Sequence, residues 1–141
     1  MKVLWLILSF ANTMPRPARP AVRSEPAKDA VLTKAVLRAA AFLELPSNVL
    51  SRVLGVSEAS VSRLASGSRT IDPSTKEGEL ALLLVRVYRS LDALVGTDAA
   101  QRKAWLHGHN RALNARPVDL LPRADGLVSV VAYLDAMRAP A

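Results

Sequence analysis

Apolar residues return every three or four positions through most of this chain, and the breaks in that rhythm divide it into helices. From Asp29, read as an N-cap, the Ala- and Leu-rich run Ala30 to Leu45 places Val31, Leu37, Ala40 and Leu43 or Phe42 near one face, and Pro46 ends it. Two short helical segments follow, Ser47 to Leu54 and Ser57 to Ser66, separated only by Gly55 and Val56. After Gly67 comes a polar stretch, then Pro73 and a long helix to about Val95. In it Leu80, Leu83, Leu84, Val87, Leu91 and Leu94 recur at helical spacing while Arg86, Arg89 and Ser90 lie opposite. Leu82 and Val85 widen that stripe beyond what one neighbour covers, so the helix is either central to the core or paired with a second copy of the chain. Gly96 stops it, Asp98 caps a helix to about His107, and a turn-rich segment runs to Pro122. Helical spacing then returns from Ala124 to Arg138 with Leu127, Val130, Val131, Leu134 and Met137. No segment alternates as a strand does, so the expected fold is all-α with six or seven helices.

The first residues break the pattern. Met1 and Lys2 precede the apolar run Val3 to Ala11, with Ser9 and Ala11 placed as a signal peptidase would require. Nine residues are too few to span a bilayer, so no membrane anchor is expected. Translation from Met14 is the preferred reading; an exported basic helical protein is the alternative. Residues 14 to 27 hold four prolines and three arginines without apolar period and read as an extended arm. The organisation is then a leader and arm over residues 1–28, a helix-turn-helix region over 29–72, and the long helix with a C-terminal helical module over 73–141.

Charge narrows the partners. Lys and Arg outnumber Asp and Glu by 19 to 12, a net +7 that favours polyanions. Aromatics form only 4% of the chain, too few for a single-strand stacking platform, which directs any nucleic-acid function to duplex DNA. There is no Cys, hence no disulfide framework, thiolate metal site or thiol nucleophile. His107 and His109, the two histidines, stand two apart at a helix end and do not share a helical face, and no Gly-rich phosphate loop occurs. No catalytic residue, metal or cofactor is expected, and the chain is not read as an enzyme.

The segment Ser47 to Gly67 supplies what two helices crossing at a steep angle need. Ser51 is small at the crossing, and Gly55 accepts positive φ in the turn. Val49, Leu50 and Val53 face inward from the first helix, Val56 plugs the turn, and Val61 and Leu64 hold the second from beneath. Ser57 caps the second helix by accepting from a backbone N–H near Ser60, fixing an amino end that can point at DNA. Glu58, Ala59, Ser62 and Arg63 then project toward a major groove, Arg63 matching a guanine edge and Glu58 a cytosine amine. Arg52 and Arg69, with Arg16 or Arg19 from the arm, are candidates for phosphates. The segment resembles the helix-turn-helix of the Cro and lambda repressor class, often called Xre-like, with Ser51 where that class more often has Ala.

From Trp105 onward, Asn110, Ala112, Leu113, Pro117, Asp119, Leu120, Leu121 and Gly126 form a pattern similar to the toxin-binding domain of the Xre/MbcA/ParS antitoxin family. His109 and Arg111 depart from its usual prolines, and Asn114-Ala115 from its usual glycine pair. By their own chemistry Pro117 presets a turn, Asp119 can cap a helical turn at Leu120-Leu121, and both leucines belong to the core. The resemblance implies more: a cytoplasmic antitoxin that neutralises a toxin, commonly a RES-domain protein that uses NAD, and that represses its own operon through duplex operator DNA. Asn110, Arg116, Asp119, Asp135 and Arg138 are the toxin-facing candidates it implies, the last two flanking Met137. A homodimer is the expectation for a reader of two-fold operators. The alternative is an Xre-type repressor without a toxin.

Overall fold

The computed structural model of the protein describes residues 27–140. The leader, Met14 and the arm with Arg16 and Arg19 lie outside the described residues. Among the described residues seven helices follow one another: α1 (Lys28–Phe42), α2 (Ser47–Leu54), α3 (Glu58–Ser66), α4 (Lys76–Val95), α5 (Ala99–His107), α6 (Pro117–Leu120) and α7 (Ala124–Arg138). The all-α expectation holds. Among the described residues the only extended pairing is an isolated bridge between Asn110 and Ala115, and no helix is long and apolar enough to cross a membrane.

The helix ends follow local chemistry with two corrections. Ser57 accepts from the Ser60 amide, Thr75 from that of Gly78, and Asp98 from those of Ala100 and Gln101, each satisfying N–H groups that have no partner inside the helix. Asp29 does not cap α1: the cap position is Ala27, without a side-chain bond, and Asp29 lies in the first turn. There its carboxylate meets the positive end of the helix dipole. Asp119 is likewise no cap but lies inside α6, behind Arg116 and Pro117.

The long helix α4 is the axis of the molecule. It packs against α1, α2, α5 and α7, the contact with α1 reaching as far as Tyr88. A helix covered from two sides buries more than one stripe, so Ala81, Leu84, Val85, Val87, Ser90 and Leu91 are all buried. Ser90, expected on the outer face with Arg86 and Arg89, is fully buried, whereas Leu94 is 39% exposed beyond the last packed turn. Each leucine taken wholly out of water contributes about 1.5–3 kcal/mol, and Leu84, Leu91, Leu127 and Leu134 are all wholly buried. On α1 the inward stripe is Leu32, Val36, Ala39 and Ala40, continued by Leu43 just after its end. Val31 is one position, or about 100°, off that line and is 52% exposed instead of buried.

Polar and aromatic contacts tie the ends together. Buried Thr33 donates to the Asp29 carbonyl and accepts from the Ile71 amide at 2.8 Å, which fixes the loop after α3 onto α1. The Arg102 guanidinium of α5 lies 3.6 Å from the centre of the Phe42 ring, itself edge-on to Tyr88 at 4.5 Å. Trp105 of α5 stacks on Tyr133 of α7 at 6.3 Å. At Gly126 a Cβ would lie 2.3 Å from the Leu120 carbonyl oxygen, so only glycine lets α7 start this close to α6.

Candidate DNA and protein interfaces

The two short helices α2 and α3 form one end. Ser51 is buried and its hydroxyl donates to the Asn48 carbonyl, while Gly55 takes φ +69° at the end of α2. Leu50, Val53, Leu54, Val61 and Leu64 are buried, with Val49 and Val56 packed at their edge. Every side chain expected to project from α3 does so: Ser57, Glu58, Ala59, Ser62 and Arg63 are exposed, as is Arg52 on α2. Ser60, which sequence reasoning treated only as the amide that Ser57 caps, is a further member. Its hydroxyl accepts from Ser57 Oγ at 3.0 Å and from Arg63 Nη2 at 3.1 Å, so Arg63 is steered along α3 by neutral partners and keeps its charge uncompensated. The capping spacing i, i+3 carried that signal, since it also aligns Ser57, Ser60 and Arg63 on one side of the helix.

Arg69 behaves differently. Its guanidinium forms a two-pronged pair with Glu77 in the first turn of α4, and both side chains are largely covered. Hydrogen bonding to that carboxylate raises the Arg69 pKa above its ordinary value. It is a brace between the loop after α3 and α4, with its charge already matched. The i, i+8 separation across a loop carries no periodic signal.

At the other end, the segment after α5 folds around Asn110. Its backbone pairs both ways with Ala115, and its side-chain oxygen accepts from the Leu113 amide at 3.1 Å. Asn114 takes φ +51°. This is a left-handed position that glycine adopts freely, and asparagine is the next most tolerant residue. Arg116 and Asp119 are exposed and pair with each other through two bonds, which raises the Arg116 pKa. The five candidates for toxin contact are therefore not one cluster. Asn110 closes a turn, Arg116 and Asp119 form a surface pair, and Asp135 and Arg138 turn toward α4. There Asp135 pairs with Arg86, Ser90 donates to Asp135, and Arg138 donates to Ser90.

What α7 presents outward is mostly small, with polar Asp125 and Ser129 beside a short apolar line. Val128, Ala132 and Ala136, spaced by four, run along the face away from the core, and Met137 stands at the helix end; Val128 is 52% and Met137 56% exposed. His107 and His109 are exposed at the end of α5, and among the described residues no three acidic or histidine side chains gather as a metal site would require.

Residues 22–86 match the antitoxin Xre-like helix-turn-helix domain, and residues 90–139 match the antitoxin Xre/MbcA/ParS C-terminal toxin-binding domain. The two matches meet inside α4. No curated protein matches the chain.

Proposed function

We propose that this chain, which carries the two domains of an Xre-type antitoxin, is the protein antitoxin of a type II pair: it silences its toxin by direct contact through the C-terminal module and represses its own operon through α3. The observation that carries the toxin half is the outward face of α7. With Leu127, Val130, Val131 and Leu134 taken up by the core, the side of α7 that carries exposed Val128, Ala132 and Ala136 is left for a partner, its one large apolar side chain standing beside two small ones. Alanines at 132 and 136 let a partner's backbone approach closely beside that valine. Asp135 and Arg138 then act as the fastening that holds α7 in place for the toxin, which assigns them a positioning role.

The DNA half rests on Arg63, exposed on a capped helix and free of carboxylate partners. A bidentate match to guanine from that position specifies sequence, and Arg52 supplies a phosphate contact. A RES-domain toxin is the partner that the C-terminal pattern favours, and a homodimer would let two copies of α3 read a two-fold operator. The cytoplasm is where both partners would be met.

The experiment is co-expression of the chain with the protein encoded by the neighbouring gene. Stoichiometric co-purification and rescue of growth are expected, both lost in Val128→Asp and retained in Arg63→Ala. The chain should bind its operator in preference to other duplexes, a preference reduced by Arg63→Ala and kept by Val128→Asp. If the neighbour neither binds nor is toxic while operator binding persists, the protein is a repressor without a toxin.

A further inference from the structure

The other exposed apolar surface belongs to neither interface. Val31 and Ala35 of α1 face Leu82 and Val85 of α4 across a shallow groove, with Pro73 closing one end. Val31 and Leu82 are 52% and 50% exposed. The sides of the groove are cationic. Lys28 and Arg38 rise from α1 and Arg89 from α4, and none of them forms an ion pair among the described residues. Among the described residues Asp92 is the one carboxylate that lines it.

We propose that this groove is a protein-docking surface for an amphipathic helix of a partner protein, apolar on one face and acidic along both flanks. Two parallel ridges with an apolar floor between them are the form in which a helix is received, its anchors falling three, four and seven residues apart. The charge then selects among helices. Three cations without an ion pair against one carboxylate, among the described residues, favour Glu and Asp on the incoming flanks and repel basic ones. A second copy of this chain would bring the same cations to a two-fold interface, where like charges oppose each other across a desolvated floor. A phosphate backbone would satisfy the cations but leave Val31 and Leu82 uncovered. The groove is built from α1 and α4, so its occupant need not displace a toxin from α7 or DNA from α3.

The test uses the full chain and a labelled synthetic helix with leucines at i, i+3 and i+7 and glutamates on both flanks, beside the same peptide with lysines in place of the glutamates. Anisotropy should show binding of the acidic peptide only, weakening as salt rises. Amide shifts should map to α1 and to residues 82–92 of α4. Leu82→Ser should abolish binding, and Arg38→Glu with Arg89→Glu should weaken it by at least about tenfold, while both proteins keep the helical circular dichroism of the parent. Equal binding of the two peptides, no binding of either, or shifts mapping to α7 would overturn the proposal. So would sedimentation showing a dimer of the parent that Leu82→Ser converts to monomer, since the groove would then be occupied by a second copy.

Discussion

Arg138, the last residue of α7, donates from Nη1 to the hydroxyl of Ser90, buried in the middle of α4, at 3.1 Å, and Ser90 in turn donates to Asp135. One hydroxyl thus satisfies two partners forty-five and forty-eight residues away, while Arg86 holds the far side of Asp135. Ser90→Ala removes both bonds but leaves Asp135 its Arg86 partner and Arg138 its access to water. The expected loss is about 1 kcal/mol of unfolding free energy, read as a lower urea midpoint at unchanged slope. A midpoint equal to that of the parent would mean that the hydroxyl fastens nothing.

The seven helices and the projecting side of α3 were legible because each rests on neighbours in sequence. A Ser or Asp three residues before an amide caps, a glycine at positive φ ends α2, and periodicity of three and four aligns a core face. What was not legible depends on contacts between distant segments. Ser90 read as outward because it accompanies Arg86 and Arg89, but a helix packed between α1 and α7 has two inward sides and admits a buried hydroxyl when partners reach it. Val31 read as inward because its spacing suits a helix face, and only the line along which α1 meets α4 shows that face to be one residue away. Glu77 as the partner of Arg69 has no local signature at all.

That pairing separates two arginines that composition alone makes equivalent. Arg63→Ala should relax discrimination between operator variants and leave stability within about 0.5 kcal/mol of the parent, as is usual for exposed positions. Arg69→Ala breaks a two-pronged, partly covered pair and should cost about 1–2 kcal/mol in urea unfolding, with operator affinity at low temperature little changed. Filter binding at several salt concentrations checks both. A salt slope reduced by Arg69→Ala at unchanged stability would place that residue on phosphate after all.

Backbone geometry around α6 predicts a matched set of substitutions. Asn114 pays for its φ of +51° less than other residues with a Cβ, so Asn114→Gly should be nearly neutral while Asn114→Val costs about 1–2 kcal/mol. Gly126→Ala forces a methyl to within 2.3 Å of the Leu120 carbonyl oxygen, a backbone atom that cannot rotate away. It should lose about 1–3 kcal/mol. Hydrogen exchange should show the loss concentrated in α6 and the first turn of α7. Uniform loss through α1–α3 as well would mean that the two ends unfold as a single unit.

Acid should reach the loop before α4 and the start of α7. The Asp72 carboxylate accepts from both the hydroxyl and the amide of Ser74, and these bonds hold its pKa below the usual carboxylate range. Asp125 is held below it chiefly by hydrogen bonds from the Arg123 guanidinium. A folded-state pKa below the unfolded one gives stability that is fully present above the unfolded value, near pH 4, and is lost as pH falls through the folded value. Both groups are exposed, so salt weakens the contribution of the Arg123 pair more than that of the neutral Ser74 bonds. Thermal midpoints should therefore be flat from about pH 7 to 5 with respect to these two groups and fall below about pH 4. Asp125→Asn should flatten that fall at low salt but not in 1 M salt, where Asp72→Asn still should. A fall of the same size in the double substitution would assign the acid sensitivity to other carboxylates.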